Sequence, residues 1–130
     1  MKTILACGVT LLGLAACTPT DPYARVAAQA VPPSAELKAS IVQDAKEIVY
    51  DPRSVRNAQI SNVATFADGT QGVCVRADVK NAQGVYMGAH NMGLRIRDGK
   101  RDVAALEHPL CERADITWQP FPELEGKRKR

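Results

Sequence analysis

The sequence predicts an α+β domain, one N-terminal helix packed on a four-stranded antiparallel meander. Two observations carry this. Between Ser34 and Val49 the apolar residues recur at helical spacing, and from Asn57 onward the chain changes to short apolar runs divided by turn signals.

Ser34 follows Pro32 and Pro33 and is the expected N-cap, because its hydroxyl can accept from a free amide of the first turn. Leu37, Ile41, Ala45 and Ile48 then form one apolar stripe with Val42 and Val49 beside it, while Lys38, Gln43, Asp44, Lys46 and Glu47 lie off it. Asp51-Pro52 ends the helix, since a residue before proline is pushed out of the α region.

Four strands follow. The first, residues 58–66, runs to Asp68-Gly69. The second, residues 72–80, alternates Val73, Val75, Ala77 and Val79 against Cys74, Arg76, Asp78 and Lys80, so the valine side is the core side. Asn81-Ala82-Gln83-Gly84 turns into the third strand, residues 85–97, where Gly88 and Gly93 mark a bulge or a close backbone approach. Asp98-Gly99 turns into a weaker fourth strand, residues 102–106, and Pro109 closes the sheet. The sheet side carrying Cys74 also needs a cover. Trp118 and Phe121 are the bulky groups left, so the C-terminal stretch is expected to fold over that side while the helix covers the valines.

Ahead of the domain, Lys2 precedes an apolar run over residues 4–16, broken by Thr10 and ending in small residues before Cys17, which is the order of a secretory signal. At about thirteen residues the run is shorter than the roughly 20 needed to span hydrocarbon. Leu14-Ala15-Ala16-Cys17 matches all four positions of the lipobox and so resembles that of bacterial lipoproteins. The resemblance implies that residues 1–16 are removed, that the Cys17 sulfur carries diacylglycerol and that the new amino end is acylated. That covalent lipid is the one cofactor expected, and the membrane the first partner. Thr18 stands where an Asp would suggest inner-membrane retention, so the resemblance implies an outer-membrane anchor with the domain facing the periplasm. The other reading is an Ala-rich signal with a chance cysteine, cut elsewhere.

Residues 17–33 hold Pro19, Pro22, Pro32 and Pro33 and read as an extended tether, long enough at roughly 3.1 Å per residue to hold the domain about 50 Å from a lipid surface. A short helix over residues 23–30 is the alternative. Removal of residues 1–16 leaves 114, enough for one domain, placed at residues 34–122, with a basic disordered tail at residues 123–130. The net charge of +3 loses Lys2 with the signal, and Lys127, Arg128, Lys129 and Arg130 hold four positive charges, so the body is near −2. A body without a basic stripe excludes nucleic acid as a partner. The tail itself is either solvated or touches anionic headgroups or wall carboxylates.

With Cys7 in the signal and Cys17 taken by lipid, Cys74 and Cys111 remain as an even pair, expected to form a disulfide in an oxidising compartment. Two buried thiols, or a Cys74 nucleophile with His90 or His108 as base, are the alternatives. No G-x-S-x-G elbow, H-E-x-x-H helix or phosphate-cradling loop occurs, so the chain is read as no enzyme. The sharpest chemical feature is Met87-Gly88-Ala89-His90-Asn91-Met92, two thioethers and an imidazole of the kind that suits Cu(I). Strand alternation argues against it, sending Met87 and Met92 to opposite sides unless the glycines bend the chain, and packing is the commoner role of such methionines. His108 lacks a second ligand at metal spacing and reads as a turn residue.

A second likeness rests on Asp51-Pro52-Arg53-Ser54 after the helix, Val73-Cys74 in a strand, the Lys80-Asn81 turn and Gly84-Val85-Tyr86-Met87-Gly88. Over residues 37–97 the chain resembles small uncharacterised proteobacterial periplasmic and lipoprotein domains, departing from them at Val75, where Gly is common, and at Asp78, where Asn is usual. This implies an α+β fold and adds little about activity. The function expected is that of a non-catalytic envelope lipoprotein with a structural role or an envelope-protein or cell-wall partner, the alternative being a ligand- or copper-binding module.

Overall fold

Leu37, Ile41 and Ala45 form the buried side of α2 (Ala35–Ile48), and the Ser34 hydroxyl accepts from the Leu37 amide at 3.1 Å as the capping chemistry requires. The structure, a computed structural model, describes residues 21–126. The signal segment, the lipid site Cys17 and the basic residues 127–130 lie outside the described residues. Among the described residues no helix is long and apolar enough to cross a membrane.

A second helix precedes α2 and shortens the expected tether. α1 (Pro22–Ala28) starts at Asp21, whose carboxylate accepts from the Tyr23 amide at 2.9 Å, with Pro22 in the first turn where its missing N–H is not needed. Arg113 grips Asp21 at 2.7 Å and holds its carboxyl below the usual carboxylate range, with help from the Tyr23 amide. Val31 and Val63 exchange backbone hydrogen bonds of 3.0 and 2.7 Å just past α1. Residues 21–33 therefore lie on the domain.

Six strands replace the expected four: β1 (Arg56–Ser61), β2 (Ala64–Thr65), β3 (Gln71–Lys80), β4 (Tyr86–Arg97), β5 (Lys100–Leu106) and β6 (Trp118–Pro120). They form one antiparallel sheet in the order β5-β4-β3-β1-β6, with β2 also pairing with β3. The stretch expected as one first strand is two, because the chain leaves the ladder at Asn62 and Val63, whose amides bond Thr117 and Val31 instead. After β5 a 3-10 turn (Pro109–Glu112) carries the chain back, and β6 adds to the far side of β1.

The core lies between α2 and the valine side of the sheet. Ala58, Ile60, Val73, Val75, Leu94 and Ile96 are buried there against Leu37 and Ile41, with Ala77 and Val79 partly buried. Phe121 joins them with no exposed surface, which corrects its expected place over the disulfide. The reason is parity: Trp118 opposes Ser61, while the Phe121 amide bonds the Ala58 carbonyl at 2.8 Å, and residues three apart on an extended chain point to opposite sides. Beyond Phe121 the order continues through a 3-10 turn (Pro122–Leu124) to Gly126, past the Pro122 limit expected of the domain. Leu124 packs on the core, the Glu125 carboxylate accepts from the Ala58 amide at 3.1 Å and the Gly126 amide donates to Val55 O at 3.1 Å.

Candidate functional site

Cys74 and Cys111 are joined in a disulfide, with 5.7 Å between their α-carbons and both residues buried. It ties the 3-10 turn after β5 to the middle of β3, on the sheet side away from α2. The Ser61 hydroxyl, itself buried, accepts from the Cys74 amide at 2.8 Å. His108 sits over the same side, its ring against Gly93 so closely that a β-carbon there would meet the histidine Cβ at 2.8 Å. Its Nδ1 accepts from the Leu110 amide at 3.2 Å, capping the turn. His108 is therefore a structural cap, and among the described residues neither it nor His90 has a free thiol beside it, since Cys74 and Cys111 are paired.

The disulfide side is covered by the 3-10 turn that carries Cys111, with His108 before it, and by α1. Tyr23, Val26, Ala27 and Ala30 face Cys74, Gly93 and Ala105 across an open, largely apolar cleft of about 290 Å³ with Arg113 at its rim. Trp118 lies farther along the same side, where the Arg76 guanidinium stacks on its ring at 4.2 Å and bonds Gln59 Oε1 through Nε and Nη2 at 3.1 and 2.6 Å.

On the α2 side, the sheet and helix leave a second apolar cleft of about 500 Å³. Met87, His90 and Met92 all line it, with Ile41, Val79 and Glu107. Simple alternation would have separated the two methionines. The ladder between β3 and β4 shifts register between Asp78 and Lys80, which oppose Ala89 and Tyr86, so Met87 and Gly88 together stand against Val79. Gly88 takes φ +90°, a conformation that side chains disfavour, and its amide donates to the buried Asp78 carboxylate at 3.1 Å. This bulge puts Met87 on the side of His90 and Met92. Met87 is 62% exposed, whereas Met92 packs partly into the core.

His90 Nδ1 lies 2.7 Å from Glu107 Oε1, both side chains being largely exposed. An ionised carboxylate can only accept, so the proton sits on Nδ1 and the Nε2 lone pair of the neutral ring is left over. The same hydrogen bond, followed by the charge of Glu107, raises the pKa of His90 above its ordinary 6.5. Among the described residues no group of three or more His, Cys, Asp or Glu is arranged to hold a metal. Any metal here would rest on the thioethers.

Residues of the Asp51-Pro52-Arg53-Ser54, Lys80-Asn81 and Gly84–Gly88 stretches meet one another. The buried Ser54 donates its hydroxyl to the Asp51 carbonyl at 2.7 Å and accepts from the Lys80 amide at 2.9 Å, while its carbonyl accepts from Tyr86 Oη at 2.7 Å. Arg56 stacks on the Tyr86 ring at 3.5 Å and forks onto Asp78 at 3.0 and 2.9 Å. These residues hold the β3–β4 turn to the 3-10 turn (Pro52–Ser54) that joins α2 to β1, and Asp78 anchors the bulge. Sequence reading missed this lock because its partners are up to 32 residues apart. No family model, no curated protein and no solved structure matches the chain.

Proposed function

We propose that the chain is a non-catalytic lipoprotein of the bacterial envelope, held at the outer membrane by lipid on Cys17, with its sheet and loops offered to an envelope protein or the cell wall. The observation that carries this reading is Leu14-Ala15-Ala16-Cys17 behind a signal-like apolar run. The disulfide supports it, since the two cysteines left after processing are the two that pair, and such bonds persist in oxidising compartments. Each buried acyl methylene contributes about 0.8 kcal/mol and two chains already anchor stably, so a triacylated amino end would fix the domain in place. Intact mass spectrometry of the native protein tests the reading. It requires a chain beginning at Cys17 with acyl mass on that residue, and a bare sulfur or another cut site refutes it.

A second reading, of a soft-metal module, is favoured by the bulge at Gly88 that gathers Met87, His90 and Met92 at one cleft. Glu107 on Nδ1 is the kind of partner that orients a ligating imidazole through its other nitrogen. Titration with Cu(I), with Met87→Ala and His90→Ala as controls, separates the two. Binding that either variant weakens selects the metal module, and no signal at micromolar metal removes it.

A further inference from the structure

We infer that the α1 side of the domain is its lipid-facing surface, with the cleft between α1 and the disulfide opening toward a bilayer and the Met87–Met92 side turned away. The inference rests on the reading that Cys17 carries lipid. The argument is one of reach. Three residues, Thr18, Pro19 and Thr20, separate Cys17 from Asp21, four steps along the chain, and Asp21 is fixed to the domain by Arg113 at 2.7 Å. At no more than roughly 3.6 Å per residue, that connector spans about 14 Å even when fully extended. A domain of about 100 residues has a radius of gyration near 13 Å, hence a diameter of about 33 Å and half a circumference of about 50 Å. A free segment of sixteen residues would have let the domain present any face to the surface. A connector of three residues holds it to the side on which α1 starts.

What that side displays suits a lipid headgroup layer. Tyr23 is 44% exposed at the start of α1 and Arg25 is exposed two residues on, an aromatic and a basic side chain of the kinds that settle at membrane interfaces. Val31 is 57% exposed just beyond α1, and the cleft under the helix is walled by Val26, Ala27 and the disulfide. The α2 side lies across the sheet, and Tyr50, 73% exposed after the far end of α2, marks it.

Fluorescence quenching tests the orientation. The chain has one tryptophan, so Trp118→Phe clears the background, and Tyr23→Trp or Tyr50→Trp then places a single probe on either side. Lipidated full-length protein carrying each probe is placed in nanodiscs whose headgroups bear a nitroxide quencher. Quenching several-fold stronger at position 23 than at position 50 is expected. Equal quenching, or the reverse order, overturns the orientation. An insert of about 30 Gly and Ser residues between Thr20 and Asp21, with a root-mean-square span of about 30 Å, should level the two probes. An asymmetry that survives the insert overturns the argument from reach. Intact mass read on the same samples keeps the two proposals apart: a bare Cys17 defeats the lipid reading, while acylated protein with equal quenching defeats the orientation alone.

Discussion

Phe121→Ala and Trp118→Ala, two truncations three residues apart, should have very different effects, because the sheet separates them. Phe121 has no exposed surface and sits in the cluster with Leu37, Ile41 and Ile60. Emptying such a site removes the ring's transfer free energy and leaves a cavity, together about 3 to 5 kcal/mol. Trp118 is half-buried on the other side and loses mainly partial contact and its stack with Arg76, about 1 to 2 kcal/mol. A small domain is stable by about 5 to 15 kcal/mol, so the first change removes a large share and the second does not. With a urea m-value of roughly 1.5 kcal/mol/M, the midpoint should fall by about 2 to 3 M for Phe121→Ala and by about 1 M for Trp118→Ala. Far-UV circular dichroism in urea reads both. Equal losses, or a larger loss for Trp118→Ala, would refute the placement of these two rings on opposite sides.

Two further changes probe the cysteines and the histidine. The disulfide closes a ring of 38 residues, its partners being 37 apart in sequence, and the Cys74→Ala, Cys111→Ala double variant should lose on the order of 4 kcal/mol by the chain-entropy estimate. A change in urea midpoint too small to resolve would remove that constraint from the account. For His90, the folded pKa is raised above 6.5 by Glu107, so the stability from this pair is fully present below the unfolded pKa and is lost as pH rises through the folded one. Glu107→Gln should move the His90 imidazole titration down toward 6.5 in an NMR pH series and flatten that part of the stability profile; an unmoved titration would show that Glu107 is not the cause.

α2 was legible because cap and stripe agree: Ser34, then Leu37, Ile41 and Ala45 at helical spacing, all three now buried. β3 was legible because its valines alternate without interruption, and Cys74 with Cys111 followed from cysteine count. The prolines around α1 favour an extended segment over the helix that is the other reading of that stretch, although Asp21-Pro22 is itself a helix-start signature. β6 has three residues and one proline, too short for any period to register, and its parity decides where Phe121 goes. The cleft of Met87, His90 and Met92 was half legible. Gly88 gave notice of a bulge, but its effect on Met87 depends on Asp78 and the register with β3, which no local pattern carries.

The two outer strands of the sheet have their own consequence for copies that meet at high density. β6 offers only three residues, and Pro120 among them brings no amide donor, so it makes a poor template for another chain. β5 is longer, but it opens with Lys100, Arg101 and Asp102, and an approaching copy would have to bury those charges to continue the ladder. Molecules crowded together can therefore collide edge to edge without zipping into a common sheet.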